Sequence, residues 1–348
     1  MTRHSLADRL GVELPIIQAP MAGSQLSALT IAASNAGALG SLPAGMLSPD
    51  GLRDEMVKAQ AGTSRPYQVN FFCHTLPVPD AAREAAWRKL LAPYYAEFGI
   101  DPDSTKAGPV RSPFSSDYAD VMELFRPPIV SFHFGLPRKE LVQRVKSWGS
   151  FVIGCATTVD EARWLEARGV NAIIAQGNEA GGHRGLFLTS DLTTQIGTFA
   201  LVPQVVSAVS VPVIATGGIA DARGVAAALR LGAAAVQVGT AYLLCPEATT
   251  SAVHRAALSS DDARHTALTN LFSGRPARGI VNRIMRELGP ISSSAPDYPL
   301  ASAALASIRA RAEEKGSGDF SPLWSGENAT GCRAVPAAEI TGDLAGGL

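Results

Sequence analysis

The chain has 348 residues, 46% hydrophobic and 18% charged, an ordinary globular balance. Thirty basic against thirty-one acidic residues leave a formal net charge of −1, and with no long Lys/Arg run a nucleic-acid partner is not expected. No stretch reaches the ~18 uninterrupted apolar residues of a membrane span, and the opening MTRHSLADRL lacks the apolar core of a signal peptide.

Eight short apolar runs read as strands in chain order: PIIQAP (15–20), ALGSLP (38–43), YQVNFF (67–72), PIVSFHFG (128–135), FVIGCA (151–156), AIIAQG (172–177), VPVIATGG (211–218) and AAVQVGT (234–240). They are mostly apolar without strict alternation, as in a parallel sheet buried on both faces. Helical patterns lie between them. SQLSALTIAASNAG offers Ser24 as N-cap and Gly37 as stop; TTVDEARWLEARG offers Thr157 or Thr158; DARGVAAALRLG starts at Asp221. The repeat predicts an α/β fold, a closed (β/α)8 TIM barrel, with an open doubly wound sheet as the alternative.

Two gaps between strands are long. The third-to-fourth gap predicts a helical insertion at about 74–127; the sixth-to-seventh gap opens with AQGNEAGGHRGLF. Both follow strand ends, so both should emerge on the C-terminal face, where barrels carry their chemistry. The expected layout is a barrel over 1–244, a smaller, mainly helical region over 245–325 at the barrel mouth, and a partly mobile tail over 326–348. Trp87, Tyr94 and Tyr95 read as one face of an amphipathic helix.

ATGGIAD and QVGTAYL end the seventh and eighth strands. Gly217, Gly218 and Gly239 let the backbone approach a ligand, and barrels often bind phosphate at these two loops. No GxGxxG follows a strand, which disfavours a dinucleotide site. Asn70 and Gln176 are amides at the same mouth, suited to the edge of a flavin ring. Met21 in QAPMAG adds a soft side chain. These features fit a flavin mononucleotide (FMN) lying across the mouth.

His183 sits among the glycines of the sixth loop, and an imidazole there can take a proton from a carbon acid or hydrogen-bond a nitro oxygen. Arg184 should either attract an anionic substrate or pair with Glu179. His133, ending the fourth strand, is a candidate contact to substrate or flavin, and His74 a loop residue. His4, His254 and His265 read as surface residues. No HxxxH or HExxH spacing and no CxxC pair occur, so no metal site is expected. The four separated cysteines fit a reduced, cytoplasmic protein.

The segments PIIQAPMAG, YQVNFF, SFHFG, GNEAGGHRG, PVIATGGIAD, AAVQVGTAYL, DYPLAS and PLWSGEN together resemble the nitronate monooxygenase family, of class I type, over almost the whole length. The resemblance implies FMN-dependent oxidation of alkyl nitronates by O2 to carbonyl compounds and nitrite, a detoxification, with propionate 3-nitronate as natural substrate. It implies His183 as the catalytic base. It implies flavin contacts at Asn70, Gln176, Gly181, Gly218 and the run Gln237, Val238, Gly239 and Thr240. Ala19, Pro20, Met21, Ala22, Gly182 and Gly217 complete the candidate cofactor set, and Tyr298 in DYPL resembles an aromatic of the family's pocket. Glu327 departs from a glutamine in the family pattern. The rival reading is an FMN-dependent NAD(P)H enoyl-thioester or quinone reductase, against which stand Arg184 after the histidine and DYPLAS. A non-catalytic flavin-binding protein is a third.

Overall fold

The computed structural model describes residues 5–102 and 111–348, so His4 lies outside the described residues. Eleven strands occur in chain order: β1 (Ile16–Gln18), β2 (Gly40–Pro43), β3 (Tyr67–Phe72), β4 (Ile129–His133), β5 (Phe151–Ala156), β6 (Ala172–Gln176), β7 (Gly182–His183), β8 (Val213–Thr216), β9 (Ala235–Val238), β10 (Thr266–Thr269) and β11 (Ala277–Ile280). Eight form one parallel sheet in the order β1-β9-β8-β6-β5-β4-β3-β2. Leu39 closes it: its N–H donates to the Ile16 carbonyl at 2.9 Å and its carbonyl accepts from Gln18 N–H at 3.0 Å. The result is a TIM barrel.

The runs are apolar throughout because each strand faces two cores. Val69, Val130, Val152, Ile173, Val213 and Val236 pack outward against the helices. Ile17, Ile129, Ile153, Ile174 and Ile214 pack inward with Leu6 and Leu10 of the N-terminal helix Leu6–Leu10. Toward the other end the interior turns polar. The Gln68 amide donates to Ser41 Oγ at 2.6 Å, and the Asn70 amide to Ser131 Oγ at 2.9 Å. A polar layer inside a barrel marks where packing gives way to a site.

Thr158 and Asp221 cap their helices, accepting from Glu161 and Gly224 N–H. Ser24 does not cap the second helix. Its N–H bonds the Met21 carbonyl, so the chain turns again and the helix Ser27–Asn35 begins after Leu26. Glu55, from the next helix, caps it instead, accepting from Ser27 N–H at 2.9 Å and from its hydroxyl at 2.6 Å.

The insertion divides its labour. Helix Ser116–Phe125 packs between the barrel helices Pro49–Gly62 and Lys139–Ser147. Helix Ala81–Phe98 leaves the barrel and packs on helix Ala301–Glu314. Trp87, Tyr94 and Tyr95 are buried there with Phe272, Leu305 and Phe320, and Tyr95 donates to the Ala304 carbonyl at 2.6 Å. The region 245–325 is not purely helical: β10 and β11 form an antiparallel sheet that recruits β7 from the sixth barrel loop, with Ala277 opposite His183. The tail also differs from expectation. Helix Ala337–Ala345 packs back on the barrel, burying Ala337, Ile340 and Leu344.

Candidate active site

One cleft of about 1300 Å³, partly open to solvent, lies at the C-terminal mouth. Ala19, Pro20, Met21, Ala22, Asn70, His133, Gln176, Gly181, Gly182, His183, Gly217, Gly218, Gln237, Gly239 and Thr240 line it. Residues from six strand ends thus converge on one space. The wall also holds residues that the sequence did not single out: Phe72, Arg111, Trp324, Gly326 and Asn328.

The sixth loop is built around Gln176. Its amide donates to the His183 carbonyl at 3.1 Å and accepts from Gly185 N–H at 2.7 Å. His133 Nε2 lies 3.2 Å from the same carbonyl. A carbonyl only accepts, so His133 carries its proton on Nε2. The His183 ring is held from the smaller region, with Nε2 2.8 Å from Ser273 Oγ. Ser273 lies 3.3 Å from the Arg275 carbonyl, which its hydroxyl can serve as donor. It then accepts from His183 Nε2–H, and Nδ1 is left with a free lone pair. The rings of Tyr298 and Trp324 stand 5.3 Å and 5.4 Å from that of His183.

Burial holds the His183 imidazole well below its ordinary pKa, aided by the positive Arg111 and Arg275 nearby. The same causes bring His133 down to about 3 and His74 to about 4. The lowered pKa keeps the His183 imidazole in its neutral, proton-accepting form to lower pH than in an ordinary histidine.

Three expected site residues do not line the cleft. Arg184 is fully buried and neither faces a ligand nor bonds Glu179. Its guanidinium donates to the Gly177 carbonyl at 2.6 Å, the Gln176 carbonyl at 2.7 Å and Gln195 Oε1 at 3.0 Å. It ties β6 to its loop because bent backbone leaves carbonyls that need donors. Glu179 instead accepts from Thr198 N–H at 2.8 Å and Oγ1 at 2.8 Å. Val238 points into the strand–helix core and offers only its carbonyl, to Ala19 N–H at 2.8 Å. Tyr298 stands behind His183, its hydroxyl buried without a partner. Of the peripheral histidines, His254 differs: it is buried with Nε2 3.0 Å from the Trp324 carbonyl. His74 is the expected loop residue, buried with Nε2 2.9 Å from the Arg111 carbonyl. His265 is exposed.

The far end of the cleft is made of glycine turns stitched by the tail. Gly217 and Gly218 have φ of +119° and +70°, a backbone that other residues adopt at a cost. Asn328 donates to the Gly218 carbonyl at 3.1 Å, Gly326 N–H to Thr240 Oγ1 at 3.0 Å, and Glu327 N–H to the Glu179 carbonyl at 3.0 Å. Glu327 also pairs with Arg278 at 2.9 Å. The tail thus builds part of the wall. Sequence reading missed this because the wall residues 326–328 lie in an irregular stretch with no helix or strand periodicity.

The sequence model of the family described as Nitronate monooxygenase matches residues 3–346. The chain belongs to the nitronate monooxygenase family. It is 43% identical over 334 residues to the nitronate monooxygenase of Pseudomonas aeruginosa, covering 95% of each chain. It is 41% identical over 347 residues to that of Paraburkholderia phytofirmans, covering 98% of this chain and 94% of the relative. Among solved structures it is similar to nitroalkane oxidase from Streptomyces ansochromogenes, with TM-score 0.88, 37% identity and coverage of 98% and 97%. FabK from Thermotoga maritima is more distant, with TM-score 0.73, 28% identity and coverage of 99% and 95%. Membership of the nitronate monooxygenase family makes the chain an oxidoreductase. Among the described residues no helix is long and apolar enough to cross a membrane.

Proposed function

We propose that this nitronate monooxygenase family member binds FMN at the barrel mouth and oxidises alkyl nitronates with O2 to carbonyl compounds and nitrite. Propionate 3-nitronate is the proposed natural substrate and detoxification the purpose. The observation that carries the reading is the imidazole of His183, with Nε2 2.8 Å from Ser273 Oγ, on the wall of a cleft whose other end is made of glycine turns.

The residues present fit the cofactor. The Gln237 amide oxygen is buried on the cleft wall without a donor, which a ring N–H would satisfy. A Cβ on Gly217 would stand 2.6 Å from Thr198 Oγ1, so this turn, whose backbone lines the cleft, takes only glycine. Gly217, Gly218, Gly239 and Thr240 would hold the phosphate, and Asn70, Gln237 and Met21 the ring. When bound, FMN supplies the redox chemistry. The chain's part is to place the substrate carbon and move its proton. His183 Nδ1 takes the proton from the carbon beside the nitro group of a neutral nitroalkane, which gives the nitronate. The four cysteines are unpaired, which supports a reducing, cytoplasmic setting.

The test is the absorption spectrum of the purified protein, followed by oxygen consumption with propionate 3-nitronate. His183→Asn should keep its yellow colour while turnover of neutral nitroalkanes falls by roughly 10²–10⁴-fold, the usual worth of a general base. Full activity in that variant removes His183 from the chemistry. The second reading is an FMN-dependent NAD(P)H enoyl-thioester or quinone reductase on the same barrel. Anaerobic NADPH separates the two: rapid bleaching of the flavin would favour the reductase, bleaching by nitronate alone the oxygenase.

A further inference from the structure

Arg111 precedes helix Ser116–Phe125, and its side chain reaches the cleft wall. Among the described residues lining the cleft it is the one lysine or arginine. It also borders a second, smaller cavity beside helix Ala301–Glu314, so it stands where the two spaces meet, together with Trp324. Its main chain is fixed, because its carbonyl meets His74 Nε2 at 2.9 Å. Its side chain is not satisfied. Nη1 is buried without a partner, and no carboxylate pairs with the guanidinium among the described residues. The acid on the cleft wall, Glu179, is committed to Thr198.

The surroundings sharpen the imbalance. The Arg111 guanidinium carbon is 5.8 Å from the centre of the Tyr298 ring, whose hydroxyl is buried and unpartnered. Arg275 lies 4.0 Å over the Phe134 ring and donates to the Leu186 carbonyl, with its Nε also unpartnered. Two half-buried guanidinium groups beside the site's histidines form a cationic corner in which neither makes an ion pair among the described residues. Isolated buried charge is costly, and removing it from water is repaid only by a partner of opposite sign. A bound anion is the partner that the fold leaves room for.

We infer that Arg111 determines substrate specificity by binding a carboxylate carried on the substrate at the end away from its nitronate group. The inference rests on the proposed nitronate oxidation. His183 and Arg111 each stand within 6 Å of the Tyr298 ring, 5.3 Å and 5.8 Å from its centre, which puts both within reach of one small molecule. In the proposed reaction the nitronate end takes the place beside His183. Arg111, bordering the outer cavity, is left for the other end. Its planar fork matches a carboxylate in two parallel hydrogen bonds, which a lysine cannot reproduce.

The experiment compares Arg111→Met and Arg111→Lys with the wild-type holoenzyme on two nitronates of the same carbon count, propionate 3-nitronate and propyl-1-nitronate. In Arg111→Met, kcat/KM for the carboxylate-bearing substrate should fall roughly 10- to 100-fold, the range for one charge-assisted interaction, through KM. That for propyl-1-nitronate should stay within about twofold, and Arg111→Lys should fall between. Calorimetric titration with succinate, which carries two carboxylates and is not oxidised, should show binding to wild type and its loss in Arg111→Met. Equal losses on both nitronates, or unchanged kinetics and succinate binding, overturn the inference. A wild type that oxidises neither nitronate overturns the functional reading instead, and succinate binding lost with the arginine would still assign the anion site.

Discussion

The Gln176 side-chain amide donates to the His183 carbonyl at 3.1 Å while accepting from Gly185 N–H at 2.7 Å. One side chain at the end of β6 thus spans the histidine and fixes the loop from both sides. Gln176→Leu keeps the bulk and removes both bonds, leaving the Gly185 N–H buried and unpaired. The expected cost is about 1–3 kcal/mol in urea-induced unfolding, the penalty of an unsatisfied buried donor. Turnover should fall by roughly tenfold or more, since displacement of a reacting group by about 1 Å is expensive. A variant with wild-type stability and activity would show that the loop holds itself.

The proton inventory at His183 predicts an unusual pH profile. Burial and the neighbouring arginines hold its pKa well below the ordinary 6.5. An imidazole acts as a base in its neutral form, which is lost only as pH falls through that lowered value. The base-dependent fall in kcat/KM for a neutral nitroalkane should therefore be absent between about pH 7.5 and 5.5, where an unperturbed histidine would lose most of its base form. A loss centred near pH 6.5 would mean that the ring is solvated in the working enzyme.

The barrel was legible because each strand carries a short apolar run and some of the helices between them a cap; all eight runs became strands. The glycine turns and His183 were legible because glycine pairs at strand ends have few other uses. Arg184 was misread because its neighbour in sequence faces the cleft, and alternate residues of an extended segment point to opposite sides. Ser273, Arg111 and Trp324 were invisible for a different reason. They reach the mouth from the insertion and from the smaller region, and their contacts with His183 or Tyr298 span 90 residues or more. No local pattern encodes such contacts. The tail was misjudged on composition, although Ile340 and Leu344, four apart, already supply one apolar helical face.

Two adjacent glycines in the sixth loop should respond oppositely to the same substitution. A Cβ on Gly181 would stand 2.5 Å from Gly326 N and 2.6 Å from the Ser325 carbonyl carbon, both backbone atoms that cannot move alone. A Cβ on Gly182 meets nothing within 4 Å, although its φ of +71° is left-handed. Gly182→Ala should cost about 1–2 kcal/mol for that backbone conformation and keep its cofactor. Gly181→Ala should part the loop from the tail and lose bound flavin on gel filtration. The ratio of visible to protein absorbance after the column measures it. Equal retention in the two variants would mean that Ser325–Gly326 yields without consequence.

Acid sensitivity follows from four histidines that the fold keeps neutral. Burial is the main cause in each: His133 falls to about 3, His74 and His254 to about 4, and His183 well below its usual value. In the unfolded chain each returns to about 6.5. Folded pKa values below unfolded ones mean that the unfolded state binds more protons as pH drops. The stability is therefore full above about pH 6.5 and is lost progressively toward pH 4 and below. Near pH 5 unfolding should take up about four protons from these groups, each adding about 1.4 kcal/mol per pH unit to the slope. Urea midpoints between pH 7 and 5 measure it. His254→Gln, whose amide can still donate to the Trp324 carbonyl now 3.0 Å from Nε2, should lower the slope by about one proton. A slope unchanged in that variant would show that His254 is already protonated in the folded protein.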